Sequence, residues 1–84
     1  MNPRIQEVSP QQDFTLQLVF TSGEVKVFDM KPFLDKGVFI KLKDWNFFKQ
    51  ARVSFGTVVW PDELDMSPDT LYLRSVLESN SISP

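Results

Sequence analysis

The sequence predicts one α+β domain of two layers, in which antiparallel β-hairpins pack against short α-helices. Three observations support this prediction. The 84 residues suffice for a single domain, large apolar side chains alternate with polar ones in two separate regions, and the region between them holds short apolar clusters preceded by helix-capping residues. We place the domain at residues 1–78 and a flexible polar tail at residues 79–84.

The first third of the chain predicts three strands. Residues 14–20 carry the clearest period-two pattern, and residues 25–29 follow after a turn that contains Ser and Gly. Residues 4–8 are typical of a short preceding strand. Pro3 and Pro10 flank it and place it at a sheet edge.

The loop length decides which residues face each other in the first hairpin. A loop with an even number of residues pairs Phe20 with Val25 and Leu18 with Val27, so that the large apolar side chains share one face. A three-residue loop pairs Leu18 with Lys26 instead. Because a slip of one residue moves the whole apolar set to the other face, the sequence favours the even loop.

The middle of the chain predicts short helical turns. Asp29 suits the cap of one turn over residues 30–34, which Gly37 ends. Asp44 suits the cap of a second short helix, which contains the aromatic residues of positions 45–48. Each piece is too short to be stable alone, so packing against the sheet must hold it.

The last third predicts two more strands and a capped helix. Residues 52–55 and 57–60 are rich in β-branched and aromatic side chains. Ser67 suits the helix N-cap, and Pro68 suits the first helical position. We expect this helix to reach about residue 78, with an apolar stripe that contains Leu73, Val76 and Leu77.

The predicted core collects the large apolar residues of these faces. Burial of each side chain contributes about 1.5–3 kcal/mol before chain entropy is subtracted. The members of the predicted core are Leu16, Leu18, Phe20, Val25, Val27, Phe33, Phe39, Leu42, Phe48, Val53, Phe55, Val58, Leu71 and Val76.

The absence of histidine and cysteine excludes the largest group of functions. A chain without them has no disulfide, zinc finger, iron–sulfur centre, thiol nucleophile or histidine base. We therefore expect no cofactor, no metal and no enzymatic activity. The first residues contain no apolar stretch of a signal peptide, and the longest apolar runs are too short for a membrane span. The expected location is the cytoplasm.

Lysines alternate with aromatic residues in the middle third, a pattern that surfaces for single-stranded nucleic acid use. Aspartates lie among these lysines, and lysine on the outer side of a short helix is the ordinary solvated pattern. The net charge of −2 also argues against a phosphate backbone as the main partner. We expect no nucleic acid partner for this domain alone.

The acidic segment from Asp62 to Asp69 is the candidate for ligand chemistry. Its carboxylates, which include Glu63 and Asp65, are the ligands of a hard cation. The segment lacks the spacing of an EF-hand loop, and a solvated turn before a helix is the simpler interpretation. We expect the Asp65 carboxylate to accept backbone N–H groups in this turn. A small ligand-binding or catalytic protein remains the alternative function.

Association is predicted at the second strand pair. Trp60 fits either the core, with its indole N–H paired, or the anchor of an interface. Residues 57–60 contain no charge, so a free edge or face there would be adhesive. We expect an interaction surface that contains Trp60, Val58 and Asp65. Its partner would be another protein or a second copy in a two-fold dimer.

Five segments together resemble a known bacterial family, catalogued as domain of unknown function 2442, over roughly residues 2–75. The segments are residues 2–5, 23–30, 34–39, 53–61 and 64–72. The most specific part is the Trp-Pro pair followed by Asp and by Pro-Asp-x-Leu-Tyr. The usual Asn-Gly pair after Trp-Pro is replaced here by Asp62, Glu63 and Leu64.

The resemblance implies an α+β fold and brings no activity, ligand or catalytic residue. Members of the family are mostly short proteins, and some carry a helix-turn-helix domain after this one. Their genes often lie beside another small gene, which suggests toxin–antitoxin-like pairs. We therefore expect a non-enzymatic protein-interaction or regulatory module.

Overall fold

The computed structural model describes residues 2–77 and has two antiparallel sheets with short helices, an α+β fold as predicted. The strands are β1 (Ile5–Pro10), β2 (Thr15–Phe20), β3 (Val25–Asp29), β4 (Arg52–Ser54), β5 (Thr57–Trp60), β6 (Leu64–Asp65) and β7 (Val76–Leu77). The larger sheet has the order β1-β2-β3-β7, and the small sheet has the order β4-β5-β6. The predicted tail at residues 79–84 lies outside the described residues.

Two α-helices and two 3₁₀ helices connect and cover the sheets. They are the 3₁₀ helices Lys31–Phe33 and Gly37–Lys43 and the α-helices α1 (Trp45–Phe48) and α2 (Pro68–Arg74). No helix within residues 2–77 is long and apolar enough to cross a membrane.

The register predicted for the first hairpin is wrong. Leu18 pairs with Lys26, and the Phe20 N–H donates to the Glu24 carbonyl oxygen over 2.9 Å, so the loop has three residues. Gly23, the last of the three, has φ of +93°, the left-handed conformation that closes three-residue hairpin loops. The turn chemistry therefore outweighs the matching of apolar residues that the even loop offered.

The observed register exchanges the apolar residues of β3 between its two faces. Val25 is exposed and Val27 half-buried on the side away from the core, and neither belongs to the core as predicted. Phe28 and Met30 take their place and are almost fully buried. The face of the larger sheet away from the core thus carries a group of valines, which Val76 of β7 extends.

The observed core follows the prediction in part. Seven predicted members are buried: Leu16, Leu18, Phe20, Leu42, Phe48, Val58 and Leu71; Phe33, Phe39 and Val53 pack against them partly buried. Phe55 and Val76 are exposed, contrary to the prediction. The prediction omitted several buried residues: Ile5, Phe28, Met30, Leu34, Trp60, Leu64 and Met66.

Of the two caps predicted in the middle segment, Asp44 is the N-cap of its helix, whereas Met30 and not Asp29 occupies the N-cap of the first 3₁₀ helix. The Asp44 carboxylate accepts the Asn46 N–H over 3.0 Å at the start of α1, and the Asp29 carboxylate accepts the Lys31 N–H over 2.9 Å. Gly37 does not end the first turn but begins the second 3₁₀ helix, with φ of +45°. These short elements depend on aromatic packing against the sheets, as their lengths require.

The predicted cap of α2 is present, whereas the predicted length is not. The Ser67 hydroxyl accepts the Thr70 N–H over 3.5 Å, and the helix ends at Arg74. Val76 and Leu77 then pair with β3 as β7, so they form no helical stripe. The open edge of β3 offers backbone hydrogen bonds to these residues, and a β-branched Val favours the strand.

Candidate interaction surface

Trp60 and Val58 do not form the predicted surface, because both are buried at 1% and 0% exposure. The Trp60 indole N–H donates to the Phe48 carbonyl oxygen over 2.9 Å, which is the core interpretation of this residue. Strand β5 also has no free edge, since it pairs with β4 on one side and with β6 on the other. The adhesive edge expected at residues 57–60 is therefore wrong.

The other face of the same small sheet is open. Because side chains alternate along a strand, burial of Val58 and Trp60 directs Val59 outward. Val59 pairs with Arg52 of β4 and with Asp65 of β6, so these three residues form one row across the sheet. We call this side the outer face. A shallow groove of about 440 Å³ runs along it.

Arg52 and Asp65 end this row with opposite charges. Both are exposed, and neither side chain has a hydrogen-bond or ion-pair partner within residues 2–77. The expectation that Asp65 accepts backbone N–H groups of the turn is therefore wrong. Nothing in the described fold uses either charge.

Phe55 lies at the tip of the β4–β5 hairpin and is 95% exposed. Phe55 and Gly56 form the two-residue turn, with φ of +52° and +77°. Both angles are positive, as in a type I′ turn, which joins two strands with the correct twist. A bulky residue rarely adopts this conformation and is strained by roughly 1–2 kcal/mol there.

The tip is held in place by the start of β1. The Ile5 N–H donates to the Gly56 carbonyl oxygen over 2.9 Å, and the Arg4 guanidinium donates to the Phe55 carbonyl oxygen over 3.3 Å. A Cβ on Gly56 would lie 2.6 Å from the Arg4 Cδ atom, and the φ of +77° favours glycine at this position. The Phe55 ring therefore projects from a supported backbone.

A second tight turn closes the opposite end of the sheet. Asp62 and Glu63 have φ of +66° and +64°, so they adopt left-handed geometry without glycine. The Asp62 carboxylate lies 3.0 Å from the Lys41 ammonium, which joins the turn to the longer 3₁₀ helix.

The acidic segment does not assemble a metal site. Asp62 is paired with Lys41, and the Asp69 carboxylate accepts the Asn2 side-chain amide over 3.3 Å. Asp65 lies on the outer face, where Asp62 and Glu63 line the same groove. Within residues 2–77 no three carboxylates lie close enough together to hold a metal ion.

A second polar cluster, which the sequence analysis did not predict, lies at the larger sheet. Lys26 is only 9% exposed, and its ammonium donates to the Tyr72 carbonyl oxygen over 2.7 Å and lies 3.9 Å from the centre of the Tyr72 ring. The Tyr72 hydroxyl donates to the Glu24 carboxylate over 2.8 Å. This cluster attaches α2 to β3.

The hydrogen bonds of this cluster shift two pKa values in opposite directions. The Ser22 hydroxyl and then the Tyr72 hydroxyl lower the pKa of the Glu24 carboxyl, because both donate to its ionised form. The same bond raises the pKa of Tyr72, because the neighbouring carboxylate disfavours the phenolate. Both shifts favour the folded arrangement at neutral pH.

Residues 5–76 match the family described as protein of unknown function (DUF2442). The chain belongs to this family. The match covers every strand from β1 to β6 and all of α2. No curated protein and no solved structure matched the chain significantly. The DUF2442 description names no activity, so any function must be argued from the surface of the domain.

The turn after Trp60 and Pro61 forms in this DUF2442 chain without glycine. Asp62 and Glu63 both have positive φ angles, which Asn and Gly adopt more readily than other residues. Sequence reasoning named Asp65 on the adjacent outer face but missed Arg52, Val59 and Phe55 as its neighbours.

Proposed function

We propose that this DUF2442 chain is a non-enzymatic protein-binding module that binds through Phe55 and the outer face of the small sheet. The observation that carries the proposal is the Phe55 ring, which is 95% exposed on a strained and supported turn. Fold stability alone would favour a polar residue or glycine at this position. Strained residues that the surrounding structure holds in place are typical of functional sites.

The outer face has the composition of a recognition surface. An apolar centre, Val59, lies between the unpaired charges of Arg52 and Asp65, and the Phe55 ring stands at one end. Aromatic residues and arginine are the most frequent energetic anchors of protein interfaces. A ring on a rigid hairpin also loses little conformational freedom on binding, which favours affinity.

The proposal includes a regulatory role in the cytoplasm. The family resemblance, with its toxin–antitoxin-like gene pairs, supports a module that acts through another protein. The alternative, a ligand-binding or catalytic site in the segment from Asp62 to Asp69, has less support because Asp62 and Asp69 are bound by two different residues, Lys41 and Asn2.

A photo-crosslinking amino acid placed at Phe55 tests the proposal in the cell that produces the protein. The matched control carries the same amino acid at Val38, which is 64% exposed on the longer 3₁₀ helix and outside the proposed surface. We expect a defined crosslinked protein, identified by mass spectrometry, from position 55 and not from position 38.

Competition makes the result specific. An excess of the wild-type chain should abolish the crosslink, whereas an excess of Phe55→Ser should not. Equal products from positions 55 and 38, or no product from position 55, would show that the proposed surface binds no protein.

A further inference from the structure

We propose that the outer face binds a second copy of this chain, in a two-fold dimer whose axis runs parallel to β5 between the two small sheets. The inference rests on the proposed function, because it names the partner of that same surface. It replaces the sequence-based dimer through Trp60, whose side chain is buried.

The charge order of the outer row carries the argument. Arg52, Val59 and Asp65 present a positive, an apolar and a negative side chain on three neighbouring strands. Neighbouring strands lie about 4.8 Å apart, so roughly 10 Å separates the backbones of the two charged residues. The two side chains form no ion pair with each other, and each lacks a partner within residues 2–77.

A two-fold interface uses the same patch twice, so the patch must complement itself. With the axis parallel to β5, rotation exchanges the two sides of the row. Arg52 then faces the partner's Asp65, Asp65 faces the partner's Arg52, and Val59 packs on the partner's Val59. Both unpaired charges gain a partner, and the apolar residue is covered.

The other face-to-face arrangement fails on charge. An axis that crosses the strands would put Arg52 against the partner's Arg52 and Asp65 against the partner's Asp65. Like charges opposite each other at an interface are strongly unfavourable. The row therefore selects one orientation of the second copy.

The selected orientation also explains why Phe55 is exposed in the single chain, because the dimer would cover it. Rotation about an axis parallel to β5 keeps both hairpin tips at the same end of the dimer. Phe55 and the partner's Phe55 then lie side by side across the axis, and each shields the other from water. Aromatic rings whose centres lie about 4.5–7 Å apart attract each other beyond the effect of the area that they bury.

Charge reversal tests the orientation directly. R52D leaves only negative charge at the ends of the row, and D65R leaves only positive charge, so each variant alone should be a monomer. Sedimentation velocity should show the wild type as a dimer and each single variant with its dimer dissociation constant raised roughly tenfold or more. Both positions are exposed, so the variants should fold, and circular dichroism is the check on this.

An equimolar mixture of R52D and D65R should restore a 1:1 dimer, because both contacts across the interface then join opposite charges. The double variant R52D/D65R should also be a dimer by itself. Lys36→Asp serves as the control, since Lys36 is exposed outside the row, and it should leave the wild-type dimer unchanged. Added salt should weaken the dimer.

Three results would overturn this inference: a wild-type monomer at every concentration, single variants that remain dimers, or a mixture that stays monomeric. If the inference fails while Phe55 still crosslinks to a different protein, the proposed function stands with another partner. If Phe55 crosslinks to nothing, the proposed function fails as well.

Discussion

Two basic residues, each on a strand, have opposite roles in this protein. Lys26 of β3 is nearly buried, donates to the Tyr72 carbonyl oxygen and lies against the Tyr72 ring. Arg52 of β4 is exposed and has no polar partner within residues 2–77. Charge that is fully partnered inside the fold stabilises it, whereas charge left without a partner on a flat face is available for recognition.

The strand register assigns these roles. The three-residue turn that Gly23 closes brings Lys26 to the core side of the larger sheet, where its methylene groups pack and its ammonium reaches α2. In the small sheet Val53 packs against the core, which directs Arg52 outward. One residue of shift in either hairpin would exchange the two environments.

The comparison between Lys26 and Arg52 is tested most directly by replacing each of them with alanine. Lys26→Ala should lower the free energy of unfolding by about 1.5–3 kcal/mol, because a charge-assisted hydrogen bond and its packing are lost. Arg52→Ala should change it by no more than about 0.5 kcal/mol. Urea unfolding followed by circular dichroism measures both values, and equal losses would contradict the difference between the two residues.

Acid should weaken the polar cluster around Glu24. The pKa of Glu24 is lowered in the fold from about 4.5, so its carboxylate stabilises the fold above that value, and this contribution is lost as the pH falls through the lowered pKa. The stability difference between wild type and Glu24→Gln should therefore be largest near neutral pH and shrink toward about pH 3.

Paired urea titrations across this range measure that difference. Asp13 and Asp35, whose pKa values are lowered by the Thr15 hydroxyl and by Lys43, titrate in both proteins and cancel in the comparison. A difference that stays constant with pH would show that Glu24 does not hold the cluster through its charge.

The smallest expected effect concerns the turn at the end of the outer face. Glu63→Gly should raise the free energy of unfolding by up to about 1 kcal/mol, because glycine adopts the φ of +64° without strain. Gly56→Ala at the opposite turn should lower it, since alanine is strained at the φ of +77° and its Cβ would displace the Arg4 side chain. Urea midpoints with an unchanged slope measure both. A destabilised Glu63→Gly would show that the side chain itself supports the turn.

Local chemistry made much of the fold predictable. The caps at Asp44 and Ser67 and the strands around the hairpins depend on residues a few positions apart. The length of α2 depends on the distant edge of β3, to which Val76 and Leu77 pair. The predicted register of the first hairpin was wrong for a related reason. It excluded Lys26 from the core side, because the distant Tyr72 carbonyl oxygen that accepts from its ammonium is not visible in the local sequence pattern.

The candidate surface was predictable only in part. Asp65 was named from the acidic segment, but its row with Arg52 and Val59 exists only once three strands pair. Phe55 was assigned to the core because it continues the alternation of Val53. The two-residue turn begins one position earlier than the pattern implies and takes Phe55 out of the strand.

The two tryptophans give the chain a built-in optical reporter of folding. Trp45 packs edge-on against Phe14, next to the larger sheet, and Trp60 is buried in β5 of the small sheet. Their fluorescence should shift to longer wavelength when water reaches the indoles on unfolding. A single transition in this emission would show that both sheets unfold together, with no dye attached to the protein.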